Sequence, residues 1–172
     1  MNRRRQWLVV AGVAVAAGAA GAVVHLWRAA DDAPAAPLYA LRLPDLAGRL
    51  QDLNQWHGKV LVVNFWATWC APCREEIPIF VSLQEKYGAR GLQLVGIAID
   101  QRDKVQAFAR EFRINYAVLL GGLETIDLSR QIGNRVGALP FTVVLDREGR
   151  IVNRELGKVK EATLERLVLS LL

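Results

Sequence analysis

Two cysteines stand three residues apart, in Cys70-Ala71-Pro72-Cys73, and they are the only two in the 172-residue chain. A pair at this spacing closes a small disulfide ring, and as a dithiol it passes two electrons to another disulfide. The reactive form is the thiolate. Its pKa falls from about 8.5 when the cysteine lies at a helix N-terminus or in a C-x-x-C pair. Both conditions are predicted here, because an apolar strand-like run, Val60–Trp66, leads almost directly into Cys70 and a helical stretch follows Cys73. Cys70 then sits at or just before a helix N-terminus, where unpaired N–H groups and the helix dipole favour an anion. Cys73 falls one turn later on the same face and is the more buried of the two. Cys70 is thus expected to attack and Cys73 to resolve. Pro72 lies in the first helical turn, where its missing N–H costs little. The plain alternative is a structural disulfide. Two cysteines are too few for a closed zinc site, and His25 and His57 lack ligand spacing to them, so no metal is expected.

The elements that must position the pair are read from hydropathy. Besides Val60–Trp66, residues 92–99 and Phe141–Leu145 are short apolar runs of strand type. Residues 75–87 read as a helix, with Ile77, Phe80, Val81 and Tyr87 mostly at helical spacing. Val105, Phe108, Ala109 and Phe112 recur on one face of a second helix. Asp146-Arg147-Glu148-Gly149 is a hairpin turn into a strand over 150–156. Leu164, Leu167, Val168 and Leu171 give a closing amphipathic helix, and residues 38–56 a short hairpin and turn in front. Parallel pairing first and an antiparallel hairpin last predict an α/β sandwich with a mixed central sheet between helices.

A composition of 52% apolar residues supports one domain with a proper core. The net charge of +5 is spread without a dense basic stripe or interleaved aromatics, so nucleic acid is not an expected partner. Residues 7–27 carry no charged side chain apart from His25. As a helix they extend roughly 30 Å, the thickness of a bilayer core. Arg3, Arg4 and Arg5 precede the segment, Asp31 and Asp32 follow it, and Trp7 and Trp27 mark its ends. The expectation is a cytoplasmic basic tail over 1–6, a single transmembrane anchor (or uncleaved signal) over 7–27, a linker over 28–37 and a folded domain over 38–172. The domain then lies on the periplasmic side of a bacterial inner membrane. A cleaved secretory or twin-arginine signal, the latter suggested by Arg4-Arg5-Gln6-Trp7-Leu8, is the alternative and leads to the same side.

Val63-Asn64-Phe65-Trp66-Ala67-Thr68-Trp69-Cys70-Ala71-Pro72-Cys73-Arg74-Glu75-Glu76-Ile77-Pro78 resembles the active-site signature of the TlpA/ResA/DsbE branch of the thioredoxin superfamily. Gly137-Ala138-Leu139-Pro140-Phe141-Thr142-Val143-Val144-Leu145-Asp146-Arg147-Glu148-Gly149-Arg150-Ile151 resembles that branch's cis-proline loop and terminal hairpin. The resemblance covers about 38–172. It implies a thioredoxin-like α/β/α sandwich with an N-terminal hairpin extension and a helical insertion, which falls on 101–133. It further implies a cis Pro140 facing the cysteines, with the backbone of Leu139 offered to an extended client chain as in strand addition. Glu76 matches the branch's active-site glutamate, partly buried with a raised pKa and acting as base toward Cys73; a plain surface helix glutamate is its alternative. Asn64 stands where general thioredoxins carry a buried acid, and an asparagine does not titrate, which moves the base role to Glu76. Trp69, Ala71, Pro72 and Leu139 are the expected client-contacting residues, with Trp69 shielding one side of Cys70. Thr68 is expected only to pack.

The activity implied is that of a thiol:disulfide oxidoreductase with no cofactor beyond the Cys70–Cys73 disulfide. Ala71-Pro72 leans toward a reductase of protein disulfides by family analogy. The implied clients are apocytochrome c or copper-centre assembly proteins, and the implied electron source is a CcdA/DsbD-type membrane donor. A disulfide-donating oxidase is the alternative in direction. A copper-handling protein needs a histidine that the C-terminal part lacks, and a peroxidase needs a proline that is not at its place before Cys70. A non-catalytic scaffold loses nothing on Cys70→Ser.

Overall fold

The computed structural model describes residues 36–172; the expected basic tail, the anchor and the linker up to residue 35 lie outside the described residues. Ala36 and Pro37, read above as the end of the linker, open a four-residue helix, α1 (Ala36–Tyr39). The expected front hairpin follows as β1 (Arg42–Pro44) and β2 (Leu50–Asp52), paired antiparallel. A 3-10 turn, Leu53–Trp56, comes next, with the Asp52 carboxylate accepting the Asn54 N–H as its cap.

The central sheet has five strands, β3 (Val60–Trp66), β4 (Leu92–Ala98), β5 (Ala117–Leu120), β6 (Phe141–Leu145) and β7 (Ile151–Leu156), in the order β5-β4-β3-β6-β7. β3, β4 and β5 run parallel, while β6 is antiparallel to β3 and β7 to β6. β3 is the middle strand and all seven of its residues are buried, which is why it reads as an unbroken apolar run rather than an alternating one. Its side chains alternate between two cores. Val60, Val62 and Trp66 pack with Ile77, Phe80 and Leu83 of α2 (Ala71–Tyr87), Val105 and Phe108 of α3 (Arg102–Glu111), and Leu164 and Val168 of α5 (Glu161–Leu171). Leu61, Val63 and Phe65 turn the other way, against Leu38, Leu53 and Leu128 of α4 (Leu123–Gln131). Asn64 is the one polar side chain of β3, and alternation puts it on the α2 side.

The expectation of a helical insertion over 101–133 needs correction. α3 and α4 are there, but between them β5 adds a parallel edge strand beside β4. Four apolar residues, Ala117-Val118-Leu119-Leu120, are too short a run for periodicity to separate strand from buried helix, and pairing with β4 decides the matter. An isolated antiparallel bridge, Asp45 to Leu119, places the front hairpin beside this edge. No helix among the described residues is long and apolar enough to cross a membrane.

Candidate active site

Cys70 ends the turn that leaves β3, with its N–H donating to Ala67 O at 3.2 Å, and it is the N-cap of α2. Its backbone is extended, and its Sγ accepts the Cys73 N–H at 3.3 Å, one of the donors that the helix leaves unpaired at its start. Pro72 takes the early position predicted for it. Cys70 and Cys73 are joined in a disulfide with their Cα atoms 5.3 Å apart. Cys73 is fully enclosed, while Cys70 keeps 6% of its surface exposed. Ala71 and Pro72 are exposed, and Trp69 beside the pair is 68% exposed, so an approaching chain meets these side chains first.

Glu76 lies one turn beyond Cys73 on the same face of α2 and is completely buried rather than partly so. Its two oxygens have separate partners. Oε1 accepts from Asn64 Nδ2 at 2.7 Å, and Oε2 accepts the Val159 N–H at 3.1 Å. Burial disfavours the carboxylate and pushes the Glu76 pKa up to about 7, against the opposing pull of the Val159 N–H, the Asn64 amide and the positive charge of Lys158. The Lys158 ammonium itself is exposed and pairs with Glu75 at 2.6 Å. Asn64 Nδ2 also donates to Thr142 Oγ1 of β6 at 3.0 Å. Thr142 was not anticipated, although a polar residue within the apolar run of β6 was a signal for it.

The β3–β6 register brings in the third part of the site. Phe65 pairs with Phe141, so Pro140, one residue earlier, lies beside the turn that carries Cys70. The Leu139–Pro140 peptide is cis. Pro140 is buried and its carbonyl accepts the Gly157 N–H at 2.9 Å, whereas Leu139 is half-buried with neither its N–H nor its C=O hydrogen-bonded among the described residues. Asn134 clamps this loop: its Nδ2 donates to Ala138 O at 2.8 Å and its Oδ1 accepts the Ala138 N–H at 3.2 Å. Nothing in the sequence pattern marks Asn134. Thr68 does more than pack, since its hydroxyl donates to the Asp100 carboxylate just after β4. Burial works to raise the Asp100 pKa, but Thr68, the Gln101 N–H and Lys104 together outweigh it and hold the carboxyl below its ordinary range. Arg74 lies 5.1 Å over the Phe108 ring and 5.3 Å over Phe112, bracing the start of α2 against α3.

A strand ending in a helix-capping C-x-x-C pair, beside a cis-proline loop and a buried carboxyl, is a site for exchanging disulfides. The Redoxin family model matches residues 28–168. The thiol-disulfide oxidoreductase ResA of Bacillus anthracis is 31% identical over 123 residues, spanning 70% of this chain and 68% of that protein. ResA of Bacillus subtilis is 28% identical over 125 residues, spanning 71% and 66%. Among solved structures, a thioredoxin-family thiol:disulfide interchange protein from Chlorobium tepidum superposes with a TM-score of 0.70 at 29% identity, covering 76% of this chain and 92% of that one. A secreted thiol-disulfide isomerase from Corynebacterium glutamicum gives 0.70 at 25% identity, covering 76% and 82%. The chain therefore belongs to the Redoxin family, in the TlpA/ResA/DsbE branch of the thioredoxin superfamily, and is a thiol–disulfide oxidoreductase.

Proposed function

We propose that the protein reduces disulfides in client proteins, with Cys70 as nucleophile, Cys73 as resolving thiol and Glu76 as base. The observation that supports this most is the burial gradient along one helix face, from Cys70 at the N-cap through enclosed Cys73 to enclosed Glu76. In the dithiol form the Cys70 thiolate attacks one sulfur of a client disulfide. The client S–S bond breaks, its other sulfur leaves as a thiolate, and a mixed disulfide forms. Glu76 then takes the proton of Cys73. The Cys73 thiolate attacks Cys70 Sγ, which closes the Cys70–Cys73 disulfide and frees the second client thiol. Two electrons pass from the dithiol to the client. The unpaired N–H and C=O of Leu139 hold the client as an added strand at Pro140, and Trp69, Ala71 and Pro72 contact its side chains.

In this reading the clients are apocytochrome c or copper-centre assembly proteins. A CcdA/DsbD-type membrane protein regenerates the dithiol. Residues 7–27 hold the catalytic domain on the periplasmic side of the inner membrane. The first measurement is the reduction potential of the Cys70–Cys73 pair against glutathione and dithiothreitol. A value near or below about −220 mV fits a reductase fed by a membrane donor, and one near about −120 mV reverses the direction and makes the protein a disulfide donor.

A further inference from the structure

Asn64 spends both of its amide hydrogens on one side, toward Glu76 Oε1 and toward Thr142 Oγ1 of β6. Its Oδ1 is therefore turned away from β6, toward β4, where Gly96 stands opposite Asn64 in the register. Oδ1 is buried and has no hydrogen-bond partner among the described residues. Three further buried polar atoms of the described residues share that condition, the Tyr39 hydroxyl elsewhere in the fold and, on this side of the sheet, Trp66 Nε1 and the Tyr116 hydroxyl. Trp66 and Tyr116 crowd the same glycine: a Cβ built on Gly96 would lie 2.8 Å from Trp66 Nε1 and 3.3 Å from Tyr116 Cε2. Trp66 is two residues beyond Asn64 on β3 and so on its face of the sheet. Burial, and then the charge of Glu76 nearby, push the Tyr116 phenol far above its ordinary pKa, so its O–H stays a proton donor.

Buried polar atoms in folded proteins almost always find a partner, either a protein group or an ordered water. The three around Gly96 are an N–H that only donates, a carbonyl that only accepts and a hydroxyl that does either. A water molecule satisfies that set, accepting from the indole, donating to the amide oxygen and completing a third bond with the phenol, the number such waters usually make. We propose that a structural water molecule is bound over Gly96, bridging Trp66 Nε1, Tyr116 Oη and Asn64 Oδ1. Glycine is needed there because a Cβ would press on the Trp66 indole and on Tyr116 and push them from the positions that hold the water. The water adds to the lock on the Asn64 amide: a flipped amide sets its oxygen against the Glu76 carboxylate and turns its N–H groups toward a water that already accepts from the indole. Trp66 and Tyr116 are thus positioning residues for Glu76, acting through the water. This role, though not the hydration itself, rests on Glu76 being the base.

The test uses the oxidised full chain in detergent micelles and reads magnetisation transfer from water to the tryptophan indole protons, with Trp66 assigned from Trp66→Phe. A water contact at Trp66 that Gly96→Ala abolishes, with the other four indoles of the chain unmoved, is the expected result. A Trp66 indole with no water contact, or one unchanged by Gly96→Ala, overturns the proposal. Tyr116→Phe keeps the test open if Gly96→Ala fails to fold. It removes one partner of the water, weakens the contact and moves the Glu76 titration upward, whereas a titration that stays in place overturns the positioning role. The groups facing Glu76 in that titration are Asn64, the Val159 N–H, Lys158 and Tyr116. Glu76→Gln separates the two readings: if thiol exchange keeps its pH profile while the water contact persists, the base role fails and the hydration site stands.

Discussion

As the proposed base toward Cys73, a carboxyl that titrates near neutrality gives exchange a pH dependence of its own. Glu76 reaches about 7 chiefly through burial, so below that value it is mostly protonated and cannot accept from Cys73. The rate of mixed-disulfide resolution is expected to rise through a step near pH 7 and to lose that step in Glu76→Gln. The rate above the step should fall on the order of a hundredfold, at the low end for a positioned base, because solvent also deprotonates a thiol. Stopped-flow exchange with a client-like peptide disulfide from pH 5 to 9 checks this; an unchanged profile removes Glu76 from the reaction. The cysteines were legible because a C-x-x-C spacing after a strand is itself a geometry. Glu76 was legible as a candidate only through its match to the active-site glutamate of the branch that the sequence resembles. Its environment was not, because its Val159 partner lies 83 residues away and Asn64 meets Thr142 across 78. No local pattern announces such contacts.

The loop and the turn around the disulfide are held by single polar residues on neighbouring elements. Asn134 satisfies both backbone groups of Ala138, one residue before the unpaired backbone of Leu139. Asn134→Ala leaves the Ala138 N–H and C=O without their partner and the Ser129 hydroxyl with Ile126 O alone, and is expected to cost about 2 kcal/mol in urea unfolding. On the docking proposed for Leu139, it should slow exchange with peptide disulfides far more than exchange with dithiothreitol, which is too small to use the loop. Equal losses on both refute the docking role. On the other side, Thr68 ties the Cys70 turn to Asp100, two residues beyond the end of β4. Thr68→Val removes the strongest of the bonds that hold the Asp100 carboxyl down, so its titration, followed by carbon-detected NMR, is expected to move up toward the ordinary range. The strands and helices that frame these contacts followed from apolar runs and 3.6-residue spacing. β5 did not, because four apolar residues acquire their identity only from the strand they pair with.

At the scale of the whole molecule, three carboxyls with displaced pKa values act on stability in opposite directions. In the unfolded chain Glu76 titrates near 4.5, and in the folded protein near 7. Between those values the folded protein holds a proton that the unfolded chain has lost, so stability falls as pH rises through this window. The total fall is on the order of 3 kcal/mol, and the curve is level above it. Asp100 and Asp146 are held below their ordinary 3.8: burial works to raise both, and their hydrogen bonds and cationic neighbours outweigh it. Their contribution is present above 3.8 and is lost as pH drops through the lower, folded values. The oxidised protein is therefore expected to be most stable at about pH 4–5, below neutrality. Keeping the Cys70–Cys73 disulfide closed silences the cysteines as titrating groups. Other ionisable groups contribute alike to the wild type and to Glu76→Gln, so they cancel in the difference between the two curves. Urea midpoints at pH 4.5, 6 and 8 should fall in the wild type and stay nearly level in Glu76→Gln, the two proteins differing in slope only across the window in which Glu76 titrates. Parallel curves would mean that Glu76 titrates alike in the folded and unfolded chains, and the burial that sets its pKa, and with it the neutral-range step in catalysis, would have to be given up.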